Sequence, residues 1–446
     1  MARDLRARVR GEVLDPDDAG YEPARAAYNA LSVGRPAFIT RPVDVADVVS
    51  AVRWAADVDL PIGVRGGGHS VAGYSSPEAA LLVDLSRWRG AAVNPARRTA
   101  DALAGSRLMD LDAATSAYGL AAPSGTFIDT GIGGLTLTGG ISWLLASEGF
   151  ACDALIGAQL VTMDGEVLEV DEEHEPELLW GLRGGGGNFG IVTRLRYALT
   201  PVEQIYGGTL RFRGDGVRDA ILRTFELDAT APDELTDDLV AFRGEDGSPQ
   251  VRVNFAWRGD PERGAAVLRP LTEHPAMWEA DVKSMKWLQM QSLYTPIPFG
   301  LRQYWKGHLV GRVDATLADA LLAAAADASE SFVLVELVHG KAHRIPASSA
   351  AFGGRAAVAN VTALAIWEEA ADDAREIAWA RHLADSVAPL SLRGGGYLNY
   401  PEVDLAAGRV AAAFPPDSWA RLRQLKRRLD PANRLRFNAN IPPADD

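Results

Sequence analysis

A single cysteine, Cys152, occurs in 446 residues. That excludes an internal disulfide, a four-cysteine zinc site and a CxxC redox pair. No run of ~20 apolar residues exists to form a bilayer-spanning helix. The opening Met-Ala-Arg-Asp-Leu-Arg-Ala-Arg is charged and has no apolar stretch behind it, so no secretory leader is expected and the chain reads as cytoplasmic. Positive charge is in deficit, with Lys+Arg 45 against Asp+Glu 59 and a net charge of −14. Binding to nucleic acid or an anionic membrane through bulk charge is therefore not expected. Internal repeats, low-complexity linkers and coiled-coil heptads are also missing. No Walker A pattern GxxxxGK[ST] is present, which removes most nucleoside triphosphatases. Gly68-His69-Ser70-Val71-Ala72 ends in alanine where the hydrolase elbow GxSxG needs glycine.

Glycine, by contrast, is plentiful and clustered. The clusters lie at 66–68, at 131–140 (Gly131, Gly133, Gly134, Gly139, Gly140) and at 184–187, with a smaller one at 394–396. Consecutive glycines let backbone amides approach phosphate oxygens closely. Tight turns explain any one cluster equally well, but several in one chain point to a large phosphate-bearing cofactor. Gly185-Gly186-Gly187-Asn188-Phe189-Gly190 matches GxGxxG, yet it follows the helical Leu178-Leu179-Trp180 and precedes the strand-like Ile191-Val192-Thr193. That is the reverse of the Rossmann order, and it argues against a nicotinamide cofactor bound in that way. His69, directly after three glycines, can set its ring beside a cofactor, although a lone histidine is more often structural.

Roughly the first 200 residues alternate short helices and strands. Asp44 is positioned to cap a helix with Val45, Val48, Val49 and Val52 on its apolar face. Ile62-Gly63-Val64 and Leu81 to Leu85 read as strands, and residues 158–170 read as a hairpin turning at Asp164-Gly165. From about 202 to 400, strand runs such as Gln250 to Phe255 alternate with alanine-rich helices at Leu317–Ala326 and Asp373–Val387. A final amphipathic helix carries Leu422, Leu425 and Leu429 on one face and ends at Asp430-Pro431. The pattern alone does not reveal what that tail docks against.

Taken together, Arg65-Gly66-Gly67-Gly68-His69-Ser70, Pro123-Ser124-Gly125 through Gly140, and Leu179-Trp180 through Asn188-Phe189-Gly190-Ile191-Val192-Thr193 resemble the berberine-bridge-enzyme-like FAD oxidases. These belong to the vanillyl-alcohol oxidase/p-cresol methylhydroxylase superfamily. Tyr397-Leu398-Asn399-Tyr400 is similar to the family's Tyr-x-Asn-Tyr, and Asp430-Pro431-Ala432-Asn433 and Asn438 to Pro443 are similar to its closing motifs. The resemblance runs from end to end. Among bacterial members the layout is most similar to the nicotine-oxidase and flavin-N5-oxide oxygenase types.

The resemblance implies an α+β, two-domain FAD-binding fold of the p-cresol methylhydroxylase type. An FAD domain would comprise residues 1–201 completed by 404–446. Inserted between them, residues 202–403 would form a substrate domain built on an antiparallel sheet. It implies FAD attached through the flavin 8α-methyl group to His69. Many relatives carry a second link from cysteine, but Phe127 stands at that position here, so a single link is expected. Cys152, in a strand-like context, reads as a core residue. The implied cofactor contacts are Arg65, Gly66, Gly67, Gly68, His69, Ser70, Gly125, Thr130, Gly131, Gly133, Gly134, Gly140, Asp153, Gly190, Ile191, Val192, Tyr397 and Asn399. Thr130 would lie beside the reactive flavin face and govern oxygen access, although a turn threonine before Gly131 would look the same. Tyr400 aligns with the substrate base of several relatives. With an ordinary pKa of ~10 it needs a cationic neighbour or the pull of oxidised flavin to serve.

Glu336 interrupts the apolar run Phe332 to Val338 and must have a partner or face a cavity. Relatives place a carboxylate on this strand toward substrate. Tyr304-Trp305-Lys306 and Trp367 are candidate lining of the same cavity, although aromatics are more often core. His339 and His343 lie at i,i+4, but they follow a strand, enclose Gly340 and lack an HExxH pattern, so no metal site is expected. The expected protein is a monomeric or homodimeric FAD oxidase that takes a small-molecule C–OH or C–N substrate and molecular oxygen and releases hydrogen peroxide. An oxygenase, a non-catalytic flavin carrier and, distantly, a hydrolase remain alternatives.

Overall fold

The computed structural model describes residues 1–393 and 395–445; Gly394, in the smallest glycine cluster, lies outside the described residues. Three sheets carry the architecture. A four-stranded sheet orders Glu12–Leu14, Phe38–Arg41, Leu81–Asp84 and Ile62–Arg65, with the last three strands parallel. The expected cap is present, since the Asp44 side chain accepts from Asp47 N at the start of the helix Val45–Asp57. The buried Asp47 carboxylate in turn accepts from the amides of Arg10, Gly11 and Val43, tying the N-terminal segment to that helix. A five-stranded antiparallel sheet follows, ordered Ala91–Asn94, Thr99–Leu103, Ile191–Ala198, Leu155–Val161 and Val167–Val170. Its last two strands form the hairpin read from the sequence.

Seven antiparallel strands make the third sheet, ordered Met277–Met285, Ile205–Phe212, Pro249–Trp257, Leu235–Arg243, Phe332–Leu337, Ala359–Trp367 and Arg302–Val310. Period-two alternation divides its side chains. Leu235, Leu239 and Ala241, with Val333, Val335 and Leu337, pack toward the helices Val217–Asp228, Ala315–Asp327 and Asp373–Val387. Val240, Leu334, Leu364 and Trp305 face the other way, against Tyr28, Phe127 and Trp143.

The C-terminal tail joins the first core, to which Leu422, Leu425, Leu429, Leu435 and Ile441 contribute alongside residues 5–199. Lys426, fully buried, donates to the carbonyls of Asn188 (3.0 Å) and Leu435 (2.8 Å) and pairs with Asp430 at 2.7 Å. Asn188 donates to Ala439 O and accepts from Ile441 N. The glycine loop at 184–190 is thus the tail's docking partner. Cys152 is buried as expected, but in a 3₁₀ turn, Ala151–Ala154, rather than a strand. Asp153 caps that turn by accepting from Phe150 N, which stops extended pairing there. Among the described residues no helix is long and apolar enough to cross a membrane.

Candidate active site

Five chain segments wall one long cleft: Arg65 to Ser70, Thr126 to Ile141, Gly185 to Val192, Tyr397 to Pro401 and Leu435 to Ala439. Glycine is required where the first two meet. A Cβ on Gly67 would stand 2.3 Å from the Cα of Gly131, so only two glycines allow these loops to cross in contact.

Of the residues anticipated from the sequence, Arg65 to Ser70, Thr130, Gly131, Gly133, Gly134, Gly190, Val192, Tyr397, Asn399 and Tyr400 line the cleft. Gly125, Gly140, Asp153, Ile191 and Glu336 do not. Gly125 and Gly140 serve turns with φ of 128° and 88°, and Gly140 N donates to the Tyr397 hydroxyl at 2.9 Å. Asp153 is committed to a buried ion pair with Arg355. Ile191 points into the core while its strand neighbour Val192 faces the cleft. The strand Arg302–Val310 splits its aromatics in the same way. Trp305 lines the cleft, whereas Tyr304 turns to the opposite face and donates to Asp404. Lys306 pairs with Glu402, and Trp367 lies in the helix-side core with its indole donating to Asp373.

His69 is held on one side by the Tyr28 ring, stacked at 4.0 Å between centroids. Its Nε2 is buried and faces Asp129 Oδ1 at 3.6 Å, beyond hydrogen-bond range. Across the cleft, Tyr400 sits edge-on to Trp305 and Tyr397 and donates to Glu336 Oε1 at 3.0 Å. Asn360 donates to the other carboxylate oxygen at 2.7 Å. Burial pushes the Glu336 carboxyl up to about 7; the bonds from Asn360 and Tyr400 hold it back, and the charge of Asp238 on the adjoining strand adds to the rise. Burial and then Glu336 push the Tyr400 phenol well above its ordinary range. The Tyr400 hydrogen bond does not go to a cationic neighbour, the first of the two aids named for it; oxidised flavin is the other. The partner of Tyr400 is a carboxyl, so the hydroxyl stays protonated and the titrating member of the pair is Glu336.

Sequence reasoning missed Asp129, Tyr28 and the Asp238 network. Asp238 accepts from Asn254 and Tyr294 at 2.7 and 2.9 Å, and burial lifts it to about 7. Two consecutive aspartates just before the apolar run Leu239 to Phe242 were the available signal.

The cleft suits a dinucleotide. Backbone at the three glycine clusters is open to close approach, and the side-chain oxygens of Asn399 and Asn438 are buried without partners on its wall. Residues 36–171 match the family model described as FAD binding domain, and residues 396–442 match the one described as berberine and berberine like. The chain is 30% identical to (R)-6-hydroxynicotine oxidase of Paenarthrobacter nicotinovorans, over 98% of this chain and 97% of that protein. The chain belongs to the berberine-bridge-enzyme-like FAD-linked oxidoreductases. The crystal structure of 6-hydroxy-D-nicotine oxidase from Arthrobacter nicotinovorans superposes with a TM-score of 0.91 at 26% identity, covering 98% of both chains. The berberine-bridge-enzyme-like protein 1 of Physcomitrella patens has the same fold at 22% identity, with a TM-score of 0.91 over the whole of both chains. In this family's terms the fold is the expected α+β FAD oxidoreductase fold, and the protein is an FAD-dependent oxidoreductase. Its cleft residues Asn399 and Tyr400 fall inside the berberine-like match, and the His69 loop falls inside the FAD-binding match.

Proposed function

We propose that this flavoprotein is an oxidase carrying FAD on His69 alone, and that it oxidises an alcohol or hemiacetal carbon of a small molecule with release of hydrogen peroxide. The observation that carries the reading is Tyr400 on one side of the cleft, bonded behind the wall to Glu336, while His69 lines another side. Bound FAD supplies the two-electron acceptor and the reaction with oxygen. Because Nε2 of His69 is buried against Asp129, Nδ1 is the nitrogen left for the flavin, and Tyr28 fixes the ring plane. Phe127 stacks on Tyr294 at 4.6 Å and offers no second link.

Tyr400 accepts the substrate hydroxyl proton at its phenolic oxygen as it passes its own proton to Glu336 Oε1. Asn360 keeps the receiving carboxylate aimed. A proton acceptor near neutral pH suits an alcohol, whose own proton is held tightly. Thr130, on the cleft wall, lies on the side taken as the oxygen approach. Residues 1–201 with 404–446 act as the FAD unit and residues 202–403 as the substrate unit. Supporting this division, the tail shares the first core, while the seven-stranded sheet contributes Glu336.

The test is a visible spectrum before and after acid precipitation, with His69→Ala beside the natural protein, followed by a peroxide-release screen of alcohols. Yellow colour retained in the pellet and lost in the variant is expected. Colour that washes out of the unmodified protein refutes the covalent attachment.

A further inference from the structure

Asp237 and Asp238 are consecutive in the strand Leu235–Arg243, so the pleat sends them to opposite faces of the sheet. Asp238 joins the network behind Glu336. Asp237 points to the helix side, where it meets Asp228, the last residue of the helix Val217–Asp228, and His339, which follows the strand Phe332–Leu337. One ligand atom from each of these three side chains lies within 4.8 Å of the others. Asp237 is 2% exposed, and both its carboxylate oxygens, Asp228 Oδ1 and both ring nitrogens of His339 are buried without a hydrogen-bond partner. The ion-pair contact here is His339 Nε2 to Asp228 Oδ1 at 3.4 Å; no lysine or arginine pairs with either carboxylate among the described residues. Two carboxylates withdrawn from water with no lysine or arginine beside them are costly, and three unpartnered ligand groups gathered within 4.8 Å of one another need an occupant.

We propose that Asp228, Asp237 and His339 bind one divalent transition-metal cation of the zinc class. Two carboxylates and a neutral imidazole bring a charge of −2, which a dication cancels. One nitrogen and two oxygens form a borderline donor set that suits zinc or manganese better than calcium or magnesium, which prefer oxygen alone. The ion fastens a helix end, a strand and a loop together on the face turned away from the cofactor cleft, and takes no part in the redox chemistry. His343, four residues after His339, is not a ligand, because its Nε2 is engaged with the Ala357 carbonyl at 2.8 Å.

The test uses the flavin-loaded full-length protein, stripped with a chelator and dialysed against micromolar zinc. Bound metal is counted by plasma mass spectrometry, and thermal unfolding is followed with and without zinc. The expected result is about one zinc per chain more than Asp237→Asn binds, with a rise in Tm that the variant lacks and an unchanged flavin spectrum. His339→Gln keeps the comparison available if Asp237→Asn does not fold. Zinc uptake in the natural protein no greater than in a folded variant overturns the proposal. So does a natural protein that retains none while staying folded, since the two aspartates then share a proton instead.

Discussion

Replacing Glu336 by glutamine tests the proton path most directly. The amide fits the site, because its oxygen can accept from Asn360 and its nitrogen can donate to the Tyr400 oxygen, reversing one bond without breaking the network. In the natural protein the carboxyl titrates at about 7, since burial raises it from 4.5. The acid form, which cannot receive the Tyr400 proton, dominates below that pH. About one molecule in eleven is ionised one unit below the pKa and about ten in eleven one unit above. The rate constant for flavin reduction by substrate, measured by stopped flow, therefore rises about tenfold from pH 6 to pH 8 and then levels. An ordinary glutamate would give a flat profile over that range. Glu336→Gln should lose the limb altogether and fall by about 10²–10⁴ at pH 8. Asp238→Asn removes a charge that helps to raise Glu336, so its limb should move to lower pH. A Glu336→Gln enzyme that keeps the natural limb, or retains more than a tenth of the rate, would refute the role assigned to this pair.

Other perturbations follow from the packing. Lys426→Ala leaves Asp430 buried without its cation and unties the tail from the 184–190 loop, so it should cost about 3–5 kcal/mol in chemical denaturation and weaken flavin retention. Gly67→Ala pushes away the Gly131 loop, whose Cα would stand 2.3 Å from the new methyl, costing about 1–3 kcal/mol and lowering the flavin content of the purified protein. Gly408→Ala, inside the helix Ala407–Ala412 with nothing within 4 Å of the added carbon, should raise the melting temperature, stabilising the fold by about 0.4–1 kcal/mol, and leave flavin content unchanged.

Much of this was legible because glycine tolerance is a local property. The clusters at 66–68, 131–140 and 184–187 could be read as ligand-facing without knowing that they meet, and all three contribute to one cleft. Glu336 announced itself as a charge in an apolar run, and the run alone required a partner for it. That the partner is Tyr400 depends on how the segment after residue 395 crosses the sheet, which no local pattern encodes. Asp153 was misread for the same reason: its partner Arg355 lies two hundred residues away. The Tyr304-Trp305-Lys306 stretch divides between the two readings open to it, Trp305 lining the cleft and Tyr304 joining the core. Strand alternation was enough to separate Trp305 from its neighbours, had the period been applied. His339 and His343 were read together as an i,i+4 pair, whereas the fold turns them to unrelated partners.

The way the tail seals the cleft also dictates when the protein can acquire its cofactor. Leu435, Phe437, Asn438 and Ala439 form one wall, and the His69 loop forms another. During synthesis the His69 loop emerges first, and all the strands of the seven-stranded sheet must follow before the missing wall exists. The cleft is therefore not complete for FAD until residues 435–439 have been made. Until then the glycine loops are open to water and to neighbouring chains, which is the interval in which chaperones and abundant free FAD would most affect yield.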